Sequence, residues 1–203
     1  MIKIKKNRED KIEKNRRSLL DAAIEVVGEN GYALASIEKI TSMARVSHGT
    51  FYNYFNDRQD LFDQLLPAMG ERLLFHVKAH LDDQLHGLER EKKRLEAYFD
   101  FFKKNPGFLR ILSEAEAFAP KAHRRHVQRF YEDYMRALNR SLDCGELGNF
   151  LKDELPAIVF MLMGIRTYFS MLVQQSYISN DKLTLESLVS VYGKLMKKGL
   201  FTK

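Results

Sequence analysis

One cysteine, Cys144, is all that the 203 residues contain, so no internal disulfide can form, which fits a reducing compartment. CxxC and other zinc-ligand spacings are absent. Prolines number four and glycines eleven, too few to interrupt long helices. Nowhere does apolar/polar alternation run on between turn dipeptides, which removes strands as the main building element. A Gly-rich phosphate loop, a nucleophile elbow and an HExxH sequence are all missing, and the chain is not expected to be an enzyme. The N-terminus is basic but has no apolar core segment, so it does not read as a signal peptide, and a cytoplasmic location is expected.

What is present is ordinary in amount and uneven in placement. Hydrophobic residues make up 45% and charged residues 30%, a balance suited to a soluble globular fold. The formal net charge is +6, and residues 1–20 hold +5 of it: Lys3, Lys5, Lys6, Arg8, Lys11, Lys14, Arg16 and Arg17 against Glu9, Asp10 and Glu13. A basic arm of this kind supplies sequence-independent attraction to phosphates when it lies beside a nucleic-acid reader.

Such a reader is legible over residues 36–55. Ser36 is a good N-cap, Glu38 suits the positive end of a helix dipole, and Ile37, Ile40 and Ala44 share one face. A turn at Arg45 and Val46 leads to a second cap, Ser47. In the next helix Phe51 and Phe55 point one way, while His48, Gly49, Tyr52 and Asn53 point the other. Apolar anchors inward and hydrogen-bonding tips outward are what a recognition helix needs. On spacing alone an ordinary amphipathic helix pair fits as well.

The residues themselves go further. Ile40, Ala44, Val46-Ser47, Gly49-Thr50-Phe51-Tyr52, Tyr54-Phe55 and the basic Arg58 resemble the DNA-binding domain of the tetracycline-repressor (TetR) family over about residues 16–62. Two positions depart from that pattern: Arg45 stands where the family usually has Gly, and His48 where it often has Lys. The resemblance implies a dimeric regulator that binds a double-stranded DNA operator. On this reading His48, Thr50, Tyr52 and Asn53 enter the groove, Gly49 admits a close backbone, and Ser47, Tyr54, Arg58 and Arg45 meet phosphates. The fold expected is all-α, with about nine helices: a three-helix helix-turn-helix domain over 1–56 and a larger helical domain over 57–203 for ligand binding and dimerisation.

The rest of the chain reads as helices with clear breaks. A first helix covers about 8–29 and stops at Glu29-Asn30-Gly31. A fourth, capped by Asp57, runs to about His80, with Pro67 expected to kink or end it. Further helices cover 88–104, 108–118, 121–142, 155–173 and 183–200, separated at Gly87, Asn105-Pro106-Gly107, Ala119-Pro120 and 144–148. The 155–173 stretch approaches a membrane span in length, but Arg166 falls near its middle, so a helix buried on all sides is expected instead. The last two helices, about 153–176 and 183–200, read as the interface of a homodimer.

By the same resemblance the second domain encloses a pocket for a small, mostly apolar effector. Phe102, Arg110, Glu114, Phe118, Tyr131, Arg166 and Phe169 are the candidate lining residues, although Arg110 and Glu114 also have the spacing of a surface pair. His76 with His80, and His123 with His126, have the spacing of metal ligands, but the sequence indicates no third ligand, and neither a metal nor a cofactor is expected. A helical adaptor that binds protein is the other class to weigh; steep weakening by salt would favour DNA.

Overall fold

A computed structural model describes residues 2–148, 150–175 and 184–199, with the backbone alone for 2–11 and 173–175. Among these residues there are nine α-helices: α1 (Ile2–Asn30), α2 (Ile37–Ala44), α3 (His48–Tyr52), α4 (Arg58–Ala79), α5 (Gly87–Lys104), α6 (Phe108–Phe118), α7 (Pro120–Asp143), α8 (Leu155–Gln175) and α9 (Leu185–Gly199). One 3-10 turn, Lys152–Glu154, precedes α8. The all-α expectation and the helix number hold. The side chains of Lys3, Lys5, Lys6, Arg8 and Lys11 lie outside the described residues, as do the outer ends, 176, 183 and 200, of the two proposed interface helices.

By packing, the chain forms two compact units, divided at other places than the expected boundary at 56 and 57. The first combines Met1–Met69 with Gly107–His126, and the second Gly70–Pro106 with Val127–Lys203. In the first, α1 packs on α2 and on α6. Leu19, Ala23, Val27, Tyr32, Ile40, Phe51, Phe55 and Leu61 form a core from which water is excluded. At the α1–α6 crossing two backbones nearly touch: a Cβ on Gly28 would sit 2.8 Å from Gly107 Cα, and one on Gly107 would sit 2.7 Å from Gly28 Cα. Only glycine on both sides permits that approach.

In the second unit α5 packs on α8 and α9. Leu95, Tyr98, Phe99 and Phe102 of α5, Tyr134 and Leu138 of α7, Leu155, Val159 and Leu162 of α8, and Val189 and Tyr192 of α9 are buried. One helical stretch, Lys152–Leu172, is long and apolar enough to cross a membrane by length and composition alone. Its Arg166, however, is 1% exposed and bonded to Glu91 of α5, so that face lies against protein.

Pro67 does not end α4, which runs unbroken from Arg58 to Ala79. A proline inside a helix costs about 3 kcal/mol or more. Here Leu61, Phe62, Leu65, Leu66, Met69 and Leu73, on both sides of it, are all buried. Burying a side chain of this kind contributes about 1.5–3 kcal/mol, so the apolar stripe outweighs the missing hydrogen bond.

Candidate functional site

The helix-turn-helix is held by its caps. Ser36 has extended backbone and its hydroxyl accepts from Lys39 N at 3.2 Å, which starts α2. The helix ends in a Schellman arrangement: Arg45 N donates to Ser42 O and Val46 N to Thr41 O, both at 3.1 Å. This geometry puts Arg45 at φ 55°, among the described residues the one non-glycine with positive φ. An L-residue there carries roughly 1–2 kcal/mol of strain. Ser47 then caps α3, its Oγ accepting from Thr50 N at 3.1 Å and lying 2.8 Å from Thr50 Oγ1.

α3 is a helix of five residues, His48–Tyr52, with Asn53 as its C-cap. Phe51 and Phe55 are buried with ring centres 5.4 Å apart, fixing its inner side. His48, Gly49, Tyr52 and Asn53 are exposed, and the His48 and Tyr52 rings meet edge to face at 5.4 Å. Gly49 has no intramolecular reason to lack a side chain: a Cβ there would meet nothing nearer than Ser47 Oγ, at 4.0 Å. Thr50 and Tyr54 are half-buried, and Ser47 and Arg45 exposed. The structure therefore brings all the sequence-selected groove and phosphate candidates of 45–54 into one short segment.

Arg58 opens α4. One of its nitrogens donates to Ala35 O at 3.3 Å, and its guanidinium lies 5.3 Å from the centre of the Phe62 ring. The side chain is exposed, so further donors remain. The start of α4 offers little to an anion, because its first N–H groups already have carboxylate partners. Asp57 already accepts from Asp60 N at 2.8 Å, and Asp60 accepts from Asn56 N at 3.0 Å. That backbone bond holds the Asp60 carboxyl below its ordinary range. Arg16 is also engaged internally, through Gln64 Oε1 and the Phe55 ring, whereas Lys14 and Arg17 are exposed.

The seven candidate effector residues are divided. Arg110, Glu114 and Phe118 belong to the first unit; Phe102, Tyr131, Arg166 and Phe169 belong to the second. Arg110 bonds to Glu29 O, Glu114 Oε2 accepts from Tyr32 N at 2.9 Å, and Phe118 stacks on Tyr32 with centres 5.9 Å apart. These three tie α6 to the end of α1, and Arg110 Nε also lies 3.9 Å from Glu114 Oε1, so the two charges answer each other. Phe102 is buried in the α5 stripe, and Tyr131 stacks on Phe160 at 5.4 Å. Cavities of about 240 Å³ beside Arg90, Arg140 and Cys144, and about 650 Å³ beside Lys92, Val189 and Gly193, are lined by none of the seven.

Arg166 has a partner the sequence did not reveal. It bonds to Glu91 Oε1, which also accepts from Tyr192 Oη at 2.5 Å, while Arg94 lies 3.4 Å from Glu91 Oε2. The Tyr134 ring covers the Arg166 guanidinium at 4.7 Å. Burial alone would raise the Glu91 carboxyl, but Arg166 and Arg94 outweigh it and hold the group below its ordinary value. A signal for Glu91 existed: 91, 95, 98 and 102 recur at helical spacing, which puts this carboxylate on the buried stripe of α5.

The comparisons with known proteins agree with this geometry. Residues 19–65 match the model of the bacterial regulatory proteins of the tetR family. The HTH-type transcriptional regulator YvdT of Bacillus subtilis is 42% identical over 71 residues, 35% of this chain and 34% of that one. The matched part thus spans about a third of that relative. YhgD of the same organism, also an HTH-type transcriptional regulator, is 21% identical over 180 residues, 87% of this chain and 93% of its own. A tetR-family regulator structure from Shewanella sp. PV-4 superposes with a TM-score of 0.73 at 12% identity, covering 93% of this chain and 99% of that one. Residues 19–65 thus carry the helix-turn-helix of the tetR family of bacterial regulatory proteins, and the helical layout that follows has the fold of a tetR-family regulator structure.

Proposed function

We propose that the protein is a cytoplasmic, homodimeric repressor that reads a near-palindromic DNA operator with α3 and leaves it when a small, mostly apolar or aromatic effector binds in the 57–203 region. The observation that carries the DNA reading is α3 itself. Its polar side chains are exposed, its apolar ones are buried, and its glycine is unexplained by any internal contact. In that assignment His48, Thr50, Tyr52 and Asn53 face bases, and Arg45, Ser47, Tyr54 and Arg58 face phosphates.

The dimer reading is supported by α8 and α9. Phe160, Met161 and Tyr168 on α8, and Val191 and Leu195 on α9, are each more than half exposed in one chain. Their spacing is that of one helix face, and a two-fold partner would cover it with the same face. Two copies of α3 about one helical turn apart then read two half-sites.

Selection of bound sequences from a random DNA pool tests this directly: a palindrome with that half-site separation is expected. Asn53→Ala should relax choice at one base pair, costing about 1–3 kcal/mol there. Arg58→Ala should weaken all sequences alike and flatten the salt dependence. If both variants bind every DNA as the wild type does, α3 is not the reader. For the effector, native mass spectrometry with operator-release assays across acyl, aromatic and cationic compounds is the test. If no such compound loosens DNA, the sensing part fails for those classes.

A further inference from the structure

Where α4 ends, two histidines and a carboxylate converge. His76 lies in the last turn of α4, and His80 follows the helix, its N–H bonded to Val77 O at 3.1 Å. Asp100 comes from α5, in the same packing unit. The available ligand atoms of all three lie within 4.8 Å of one another. His76 Nε2 is 2.9 Å from Asp100 Oδ2, and the two imidazole rings are 4.2 Å apart.

We propose that His76, His80 and Asp100 form a site for a divalent first-row transition metal ion of the zinc class. Four observations carry the proposal. First, His80 Nδ1 sits 2.8 Å from His76 O. A carbonyl can only accept, so Nδ1 is the protonated nitrogen and Nε2 keeps its lone pair. An imidazole fixed through a backbone carbonyl in this way is the usual arrangement behind a metal ligand.

Second, His76 Nε2 and Asp100 Oδ2 are shielded from water and face each other at 2.9 Å, with Lys104 Nζ on the same carboxylate oxygen. An unprotonated imidazole nitrogen and a carboxylate oxygen both offer lone pairs, so a proton or a cation must lie between them at this distance. Third, the distances suit a metal. Bonds of about 2.0–2.2 Å in a tetrahedron separate ligand atoms by about 3.3–3.6 Å, and the three side chains already hold theirs within 4.8 Å of one another. Fourth, the site has an approach. A cavity of about 480 Å³ lined by Arg72, Phe75, Ala79 and Phe101 opens beside His76, giving room for a water or another fourth ligand.

The donor set selects the metal class. Two imidazoles and one carboxylate suit zinc, cobalt, nickel or copper, whereas calcium and magnesium prefer oxygen alone. One group opposes binding: Lys104 Nζ lies 2.8 Å from Asp100 Oδ2 and competes for the same oxygen. Helix-end histidines that merely cap α4 would use His80 Nδ1 alone and would be indifferent to Lys104. That difference makes the proposal testable, and it stands apart from the operator reading.

The experiment is a titration of the purified full chain with Co²⁺ and then Zn²⁺, read by visible absorption and calorimetry. One ion per chain and a tetrahedral cobalt band are expected, lost on addition of Zn²⁺. His80→Ala removes an exposed side chain with one bond to the end of α4, so the metal-free chain should still fold and melt cooperatively while affinity falls at least about tenfold. Asp100→Asn should lose affinity to a similar degree, and Lys104→Met should gain it. The proposal is overturned if no cobalt band forms. It is equally overturned if binding survives His80→Ala and Asp100→Asn, which would place the ion elsewhere, for example at His123 and His126, or if Lys104→Met weakens it.

Discussion

The helix-turn-helix and the interior of the second unit handle polar side chains in opposite ways. Around α3 the hydroxyls of Ser36 and Ser47 satisfy nearby backbone N–H groups, and His48, Tyr52 and Asn53 are left at the surface with work available outside the molecule. Around Arg166 the charges turn inward and answer each other: Glu91, Arg94, Tyr134 and Tyr192 close over one guanidinium. The first arrangement is assembled from residues three or four apart. The second joins helices whose partners are 75 and 101 positions apart in the chain. Changes in the interior should therefore move stability, and changes at α3 should move DNA binding, with little crossing between the two.

The sharpest way to break that contrast is Glu91→Ala. It leaves a buried guanidinium uncompensated, which typically costs about 3–5 kcal/mol, a large part of the stability of a domain this size. Urea denaturation followed by circular dichroism measures it. The paired exchange Glu91→Leu with Arg166→Met should recover only part of the loss, because it removes the buried Arg166 charge but leaves Arg94 and the Tyr192 hydroxyl without Glu91. The sign in pH follows from the carboxyl being held low. Glu91's contribution is complete above its ordinary value of 4.5 and disappears as acid protonates the folded form below that. An equal acid sensitivity in Glu91→Gln would assign that sensitivity to other groups.

The same contrast explains what the amino-acid sequence made legible. Caps act over three or four residues, so Ser36, Ser47 and the stop at Gly31, which has φ 80°, are readable from neighbours alone. The left-handed position at Arg45, φ 55°, is suggested only through the resemblance, since the family usually has Gly there. Arg166 announces itself as a charge within an apolar run, but its partner sits in the run Glu89-Arg90-Glu91-Lys92-Lys93-Arg94, which looks like solvated surface. At Pro67 local chemistry allows a kink or an end, and burial on both sides of it carries α4 past that point. Arg110 and Glu114 do lie within reach as the surface pair their spacing suggests, at 3.9 Å, and what spacing does not show is that each also bonds to the end of α1. In each case the part not legible is a tertiary contact, which spacing along the chain does not encode.

A smaller effect sharpens the comparison at the turn. Arg45→Gly removes the cost of a side chain at φ 55° and should stabilise the fold by about 1 kcal/mol. If the exposed guanidinium also meets a phosphate, the same variant binds DNA less tightly and its salt slope falls by about one. Stability and affinity would then move in opposite directions on one substitution, measured by thermal melting and by fluorescence anisotropy at several salt concentrations. Affinity that rises with stability would mean Arg45 touches no phosphate.

Gly49→Ala carries the smallest expected change in stability and the clearest meaning. The helix around residue 49 has ordinary right-handed geometry, and a methyl group there has open space inside the protein. Alanine is favoured over glycine in a helix by about 0.5–1 kcal/mol, so the variant should melt slightly higher. A side chain is excluded at this position only if something outside the chain approaches it closely, and a DNA backbone or base edge against the start of α3 would do so. Operator affinity should then fall although the free protein is better folded. Unchanged affinity, measured beside the higher melting temperature, would show that the start of α3 keeps its distance from DNA, and the groove assignment of His48 and Thr50 would fall with it.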